Sequence, residues 1–214
     1  MVSSRRLRQL LLQGFVTGFP CPVRESFSQW RAMQTEFSDG RIGIRPYRPE
    51  DVPLLFAAVS ESIGQLSQWM PWCSHAYSID DSTAFVATRD AEFVQGEHYS
   101  FVVYDRSNGA FLGSAGLNTP NRVHNFSNLG YWVRSSKNRR GIATAATKLV
   151  AQFGFQELKF TRIEIVVATG NLGSLRVAEK VGARREGVLR SRLILGGQLH
   201  DAVMHSLVPE DLRA

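Results

Sequence analysis

The chain has 214 residues, 43% of them hydrophobic, and a formal net charge of +6. This fits one globular domain plus a further segment, and no apolar run reaches the roughly 18 residues a membrane-crossing helix needs. Cys21 and Cys73 lie far apart and build neither a zinc spacing nor a disulfide framework, which points to a reduced, cytoplasmic setting. The basic balance suits contact with a polyanion, whether nucleic acid, a ribosome or an anionic cofactor.

Residues 1–32 differ from the rest. Arg5, Arg6 and Arg8 precede a short apolar patch at Leu10 to Leu12, and no acidic residue occurs before Phe19. The segment reads as an N-terminal extension, disordered or ahead of a native start at Met33, with a targeting segment as the alternative. The domain is taken as residues 33–214.

Arg41 to Tyr47 alternates as a first strand. Pro49, Glu50 and Asp51 put proline and acid where a helix opens, ahead of Leu54, Leu55, Phe56 and Val59. The aromatic stretch Leu66 to Trp72 bends at Pro71, and Asp80, Asp81 and Ser82 are expected to cap a second helix carrying Phe85, Val86, Phe93 and Val94. Tyr99 to Tyr104 and Phe111 to Leu117 read as strands joined through Asn108-Gly109, two residues that tolerate positive φ. Leu129 to Val133 is a further strand. Ile142, Ala145, Ala146, Leu149, Val150 and Phe153 then fall at helical spacing, with Gly154 as the expected stop. Ile163 to Val167 is a β-branched run, hence a buried strand. Asn171 and Ser174 open a helix that Gly182 ends, and two strands, 185–195 and 198–207, close the chain around Gly196-Gly197. Hairpins mixed with strand–helix–strand crossovers define an α/β domain on a mixed sheet.

The stretch Trp132 to Thr144 carries the chemistry. A strand runs into a turn bearing Arg134, Lys137, Arg139 and Arg140, and a helix of small residues starts at Gly141. The N–H groups that open a helix lack intrahelical partners and sit at the positive end of its dipole, so the turn suits a phosphate or pyrophosphate. It is neither a Rossmann fingerprint nor a Walker loop. On these residues alone, a solvated basic loop fits as well.

Asn138-Arg139-Arg140-Gly141-Ile142-Ala143 overlies the signature Gln/Arg-x-x-Gly-x-Gly/Ala, departing at Asn138. With it come Leu66, Trp69, Met70, Pro71 and Trp72 upstream, and Asn171, Ser174, Val177, Lys180 and Gly182 downstream. Glu186-Gly187 and His200-Asp201 complete the set. In this order, from about Ile42 to Val208, the chain resembles the GNAT superfamily of acyl-CoA N-acyltransferases, in its RimJ/RimL-like ribosomal-protein acetyltransferase branch. The resemblance implies a mixed, mostly antiparallel twisted sheet of about seven strands flanked by four helices.

It also implies acetyl-CoA as cosubstrate and no metal. Asn138, Arg139, Arg140, Gly141, Ile142, Ala143 and Thr144 would hold the pyrophosphate, and Asn171 the pantetheine arm. The Val133 N–H would face the thioester oxygen, and Ser174 would protonate the departing thiolate. Read without the resemblance, Asn171 is a helix cap, Ser174 satisfies local backbone groups, and Arg139 and Arg140 either add charge to the site or, one or both, face water. The branch places a glutamate base at a position that falls near Leu193, which cannot ionise. Glu186, His75, Glu97, His98 and His200 are weighed as substitutes, each with a structural reading, and no base is assigned. Trp69, Trp72 and Tyr77 either line an acceptor groove or cap the core.

The reading is therefore an acetyl-CoA-dependent N-acetyltransferase in which the amine attacks the thioester directly. The expected acceptor is a protein N-terminal α-amine, by default that of a ribosomal protein. A small-molecule amine acetyltransferase is one alternative and a non-catalytic acyl-CoA- or RNA-binding module another. Neither a membrane nor direct nucleic-acid binding is expected, and a homodimer is open.

Overall fold

The computed structural model describes residues 33–212, so the reading of residues 1–32 lies outside them. Its strands are β1 (Phe37–Ser38), β2 (Ile42–Pro46), β3 (His98–Asp105), β4 (Phe111–Asn121), β5 (Phe126–Val133), β6 (Arg162–Ala168), β7 (Arg184–Leu195) and β8 (Gln198–Leu207). Its helices are α1 (Val52–Leu66), α2 (Ile79–Gln95), α3 (Ile142–Gln156) and α4 (Leu172–Lys180). All eight strands form one sheet in the order β1-β2-β3-β4-β5-β6-β8-β7. The strand beyond the expected seven is β1, whose two residues are too few for alternation to reveal.

Each hairpin pair is antiparallel, while β5 and β6, joined through α3, run parallel. That parallel pairing lasts for three residues, Phe126 to Asn128 against Arg162 to Glu164, and then the strands part. On its other edge β5 stays paired with β4 as far as Val133. The parting opens the sheet at its centre.

The two faces of the sheet are covered differently. Val102 and Trp132 face Leu55, Ala58 and Val59 of α1 and Val86 of α2 in one buried cluster. On the opposite face Phe153 of α3 packs edge-on against Phe101, with ring centroids 4.9 Å apart. Gly109 (φ +72°) makes the β3–β4 turn, and Gly196 and Gly197 (φ +54° and +77°) make the β7–β8 turn.

Two local expectations are corrected. The cap of α2 is Ser78, whose hydroxyl accepts from the Asp81 N–H while Asp81 accepts from the Ser78 N–H. Asp80, Asp81 and Ser82 are the first helical turn, so the acidic pair marks the dipole end rather than the cap. Gly154 does not stop α3, which runs on to Gln156. Its small size serves packing, because a Cβ there would lie 2.9 Å from both Ile163 Cδ1 and Leu117 Cδ1. Ile163 and Leu117 are buried, so neither terminal methyl has room to retreat. Gly154→Val is therefore expected to destabilise the domain by about 1–3 kcal/mol, read as a lowered midpoint in urea unfolding.

Candidate active site

The parting of β5 from β6 leaves one edge of β5 without a partner. Arg134 N–H donates to the Leu112 carbonyl of β4 at 2.9 Å. Alternation then turns the N–H groups of Tyr131 and Val133 the other way, into the gap beyond the last pair, Asn128 with Glu164. The chain continues through a 3₁₀ turn, Ser135–Lys137, into the basic loop. Arg139 (φ +62°) and Gly141 (φ +73°) are both left-handed there, a curl that gathers successive N–H groups into a concavity.

Gly141 is the N-cap of α3 and supplies no side-chain cap. The first helical bond is Ala145 N–H to the Gly141 carbonyl, at 3.0 Å. Among the described residues, the N–H groups of Ile142, Ala143 and Thr144 have no hydrogen-bond partner. By contrast, α2 and α4 are capped by Ser78 and Asn171. The start of α3 is thus left open toward a cleft of about 660 Å³.

That cleft brings together nine of the ten residues singled out in the sequence: Val133, Asn138, Arg139, Gly141, Ile142, Ala143, Thr144, Asn171 and Ser174. Arg140 is the exception. It does not line the cleft, and its carbonyl accepts a 2.7 Å hydrogen bond from Arg41 Nη1. The charged lining residues are Lys137, Arg139, Arg176 and Lys180, with no carboxylate among them.

At the far wall, the Asn171 side chain accepts from the Ser174 N–H at 3.0 Å, which fixes the first turn of α4. Ser174 Oγ lies 2.7 Å from the Tyr131 hydroxyl. Burial pushes the Tyr131 phenol up to about 12, eased by its bond to Ser174. The phenol is therefore a standing proton donor at neutral pH. Sequence reasoning missed Tyr131, although a tyrosine in an otherwise apolar strand implies a partner for its hydroxyl.

A second set missed in the sequence holds the basic turn in place. Glu61 accepts from the Ser136 N–H at 2.8 Å and from Arg134 Nε. Ser62 Oγ accepts from the Ser135 N–H at 3.0 Å, and Gln65 Oε1 accepts from Ser135 Oγ at 3.0 Å and Asn138 Nδ2 at 2.7 Å. Glu61, Ser62 and Gln65 share one stripe of α1, and their i, i+4 spacing was the available signal. The bonds from Ser136, then Arg134, hold the Glu61 carboxyl at about 2 against an ordinary 4.5. Because the folded value is depressed, this stabilisation is complete above pH 4.5 and is lost as the pH falls toward 2. A thermal-melting series across that window should show a shallower acid loss in Glu61→Gln than in the parent protein.

A cavity of about 640 Å³ opens on the α1–α2 side and meets the cationic cleft at Met70, Tyr131 and Trp132. Trp72 and Tyr77 line it, and Tyr77 also packs on the core cluster. Trp69 lines the cationic cleft instead. Of the weighed bases, His98 reaches the cavity, whereas Glu186, His75, Glu97 and His200 line neither space, nor does Leu193. Glu186 is held by Arg162 at 2.7 and 2.5 Å and by Ser206 Oγ at 2.7 Å. Those bonds, Arg162 first, pull its carboxyl down to about 2, which makes it a structural anion.

Residues 41–184 match the family described as the acetyltransferase (GNAT) domain. The chain belongs to the GNAT acetyltransferase family. This GNAT protein is 30% identical over 173 residues to the Bacillus subtilis N-acetyltransferase YjcK, covering 79% of this chain and 96% of that one. Bacillus subtilis YdaF, provisionally named a ribosomal N-acetyltransferase, is 28% identical over 79% of this chain and 92% of its own length. Among solved structures, Mycobacterium smegmatis RimJ in complex with a CoA disulfide superposes with a TM-score of 0.73 at 27% identity, covering 81% of this chain and 84% of that one. The GNAT chain is thus an acetyl-CoA-dependent N-acetyltransferase with a RimJ/RimL-like fold.

Proposed function

We propose that this GNAT enzyme acetylates a protein N-terminal α-amine of the ribosomal-protein type, in the cytoplasm, through residues 33–214. One observation carries the reading. A cleft with four cations and no carboxylate meets, at Tyr131, a cavity that bears carboxylates and aromatics. A polyanionic donor suits the first and an amine the second. The name of YdaF supports a ribosomal acceptor.

In the proposed reaction the open N–H groups of Ile142 to Thr144, with Lys137 and Arg139, hold the pyrophosphate. Asn171 borders the pantetheine arm. The unpaired N–H groups of Tyr131 and Val133 face the thioester, with Ser174, beside the Tyr131 hydroxyl, on the sulfur side. As the amine nitrogen bonds to the carbonyl carbon, the oxygen gains charge and these donors stabilise it. The C–S bond then breaks. Ser174 donates a hydrogen bond to the sulfur, and one amine proton ends on the thiol in the overall balance.

Calorimetry with acetyl-CoA, followed by thiol-release assays over a panel of amines, tests this reading. Binding together with preferential turnover of N-terminal peptides is the expected result. Preference for amino acids, polyamines or other small amines would favour a small-molecule enzyme. Binding with no turnover on any amine would leave a non-catalytic acyl-CoA-binding module.

A further inference from the structure

The cavity on the α1–α2 side has a floor that crosses three strands. Gly130 of β5 pairs with Gly116 of β4, and Gly116 with Ser100 of β3. These three small residues form one row, two residues along from Trp132, Ser114 and Val102 on the same face. Two strand spacings make the row about 10 Å long, close to the reach of three extended residues. Its β5 end adjoins Tyr131, where the two spaces meet.

The β3 end is built from charge. Ser100 Oγ accepts from Arg89 Nη1 at 3.2 Å, and Arg89 Nη2 donates to Glu92 Oε1 at 2.7 Å. The other oxygen, Glu92 Oε2, is buried without a partner. Arg89 cannot turn to it, since it also donates to the Phe85 carbonyl and Thr88 Oγ1 and lies over the Phe85 ring. The Glu92 side chain is still 21% exposed, so its carboxylate borders the cavity although Oε2 itself is covered, and an anion short of donors gains from a ligand cation. The cavity's charged lining, Asp81 and Glu92 against Arg89, also favours a cation. Met70, Trp72, Tyr77 and Phe85 give it apolar walls that side chains can use.

We propose that this cavity is a two-point acceptor site for an extended, basic peptide N-terminus. The α-amine lies at the Tyr131 end, and a Lys or Arg side chain near the third residue pairs with the Glu92 carboxylate. This rests on the α-amine reading above and adds the feature that selects among peptides. An unbranched polyamine would satisfy Glu92 but leave the aromatic walls and much of the volume unused.

The test is steady-state kinetics on the full chain, with two short peptides that differ at the third residue, lysine against norleucine, and with spermidine. The lysine peptide should show a KM about tenfold lower than its norleucine twin, the return from one charge-assisted hydrogen bond. Glu92→Gln keeps an oxygen for Arg89 and should raise the lysine peptide's KM to near that of the norleucine peptide. Calorimetry with acetyl-CoA, at a cleft Glu92 does not line, checks that the variant is folded. Equal KM values in the parent protein, a preference that survives in Glu92→Gln, or a higher kcat/KM for spermidine than for the lysine peptide would each overturn the two-point site while sparing the acetyltransferase. Turnover of neither peptide would remove the α-amine reading and this inference together.

Discussion

Ser174→Ala is expected to lower kcat by about a hundredfold while leaving the acetyl-CoA Kd within about twofold. The reason lies in where the hydroxyl's bonds go. Asn171 takes the Ser174 N–H, so the backbone of the α4 first turn stays fixed without the side chain. The hydroxyl itself touches Tyr131 at 2.7 Å. The Tyr131 O–H has two acceptors, Ser174 Oγ at 2.7 Å and the Ser174 carbonyl at 3.2 Å, and when it donates to the nearer Oγ the serine's own proton is free to point into the cleft. In a transition state that loads charge onto sulfur, that proton strengthens its bond as the charge grows, so its removal acts on kcat rather than on binding.

Tyr131→Phe tests the same arrangement from the other side. It should cost about tenfold in kcat, as a lost orienting bond does. The double variant should be no slower than Ser174→Ala alone, because the phenol acts through the serine. Multiplying losses would mean two independent roles, and a Ser174→Ala enzyme at the parent rate would remove the serine from the chemistry.

How far the sequence reached depends on the kind of signal each element carried. The strands and helices were legible wherever apolar spacing was regular, as in Ile142 to Phe153 or Ile163 to Val167. The cationic cleft was legible because one contiguous segment, Val133 to Thr144, supplies the largest share of its lining. Asn171 and Ser174 join it through a single crossover. Gly154 was misread because a glycine near a helix end looks the same whether it caps or packs, and the deciding neighbours, Leu117 and Ile163, are remote in sequence. Glu61, Ser62 and Gln65 escaped for a similar reason. Their role exists through turn residues about 70 positions later. The cavity on the α1–α2 side draws mainly on α2, β3, β4 and β5, so no local motif could announce the Ser100–Gly116–Gly130 row or the unpaired oxygen of Glu92.

Gly141→Val should weaken acetyl-CoA binding by at least tenfold, measured by calorimetry, with a smaller loss of thermal stability. Two effects act together. At φ +73° the N-cap backbone is left-handed, a conformation that costs a residue with a Cβ about 1–2 kcal/mol and a β-branched one more. That strain alone does not decide the outcome, since a Cβ at this position would find only Arg41 Nη2, 3.7 Å away, and the fold has space for it. The second effect concerns the ligand. The open N–H groups of Ile142, Ala143 and Thr144 bind an anion only if it reaches the helix start, and valine's methyls would project from the turn that surrounds them. Relief of the strain by rotating φ would also turn those N–H groups away from the cleft. Either response of the backbone therefore costs affinity. Arg140→Ala provides the contrast: its side chain does not line the cleft, and the variant should bind acetyl-CoA as the parent does. Equal losses in the two variants would mean that charge, rather than backbone geometry, grips the pyrophosphate.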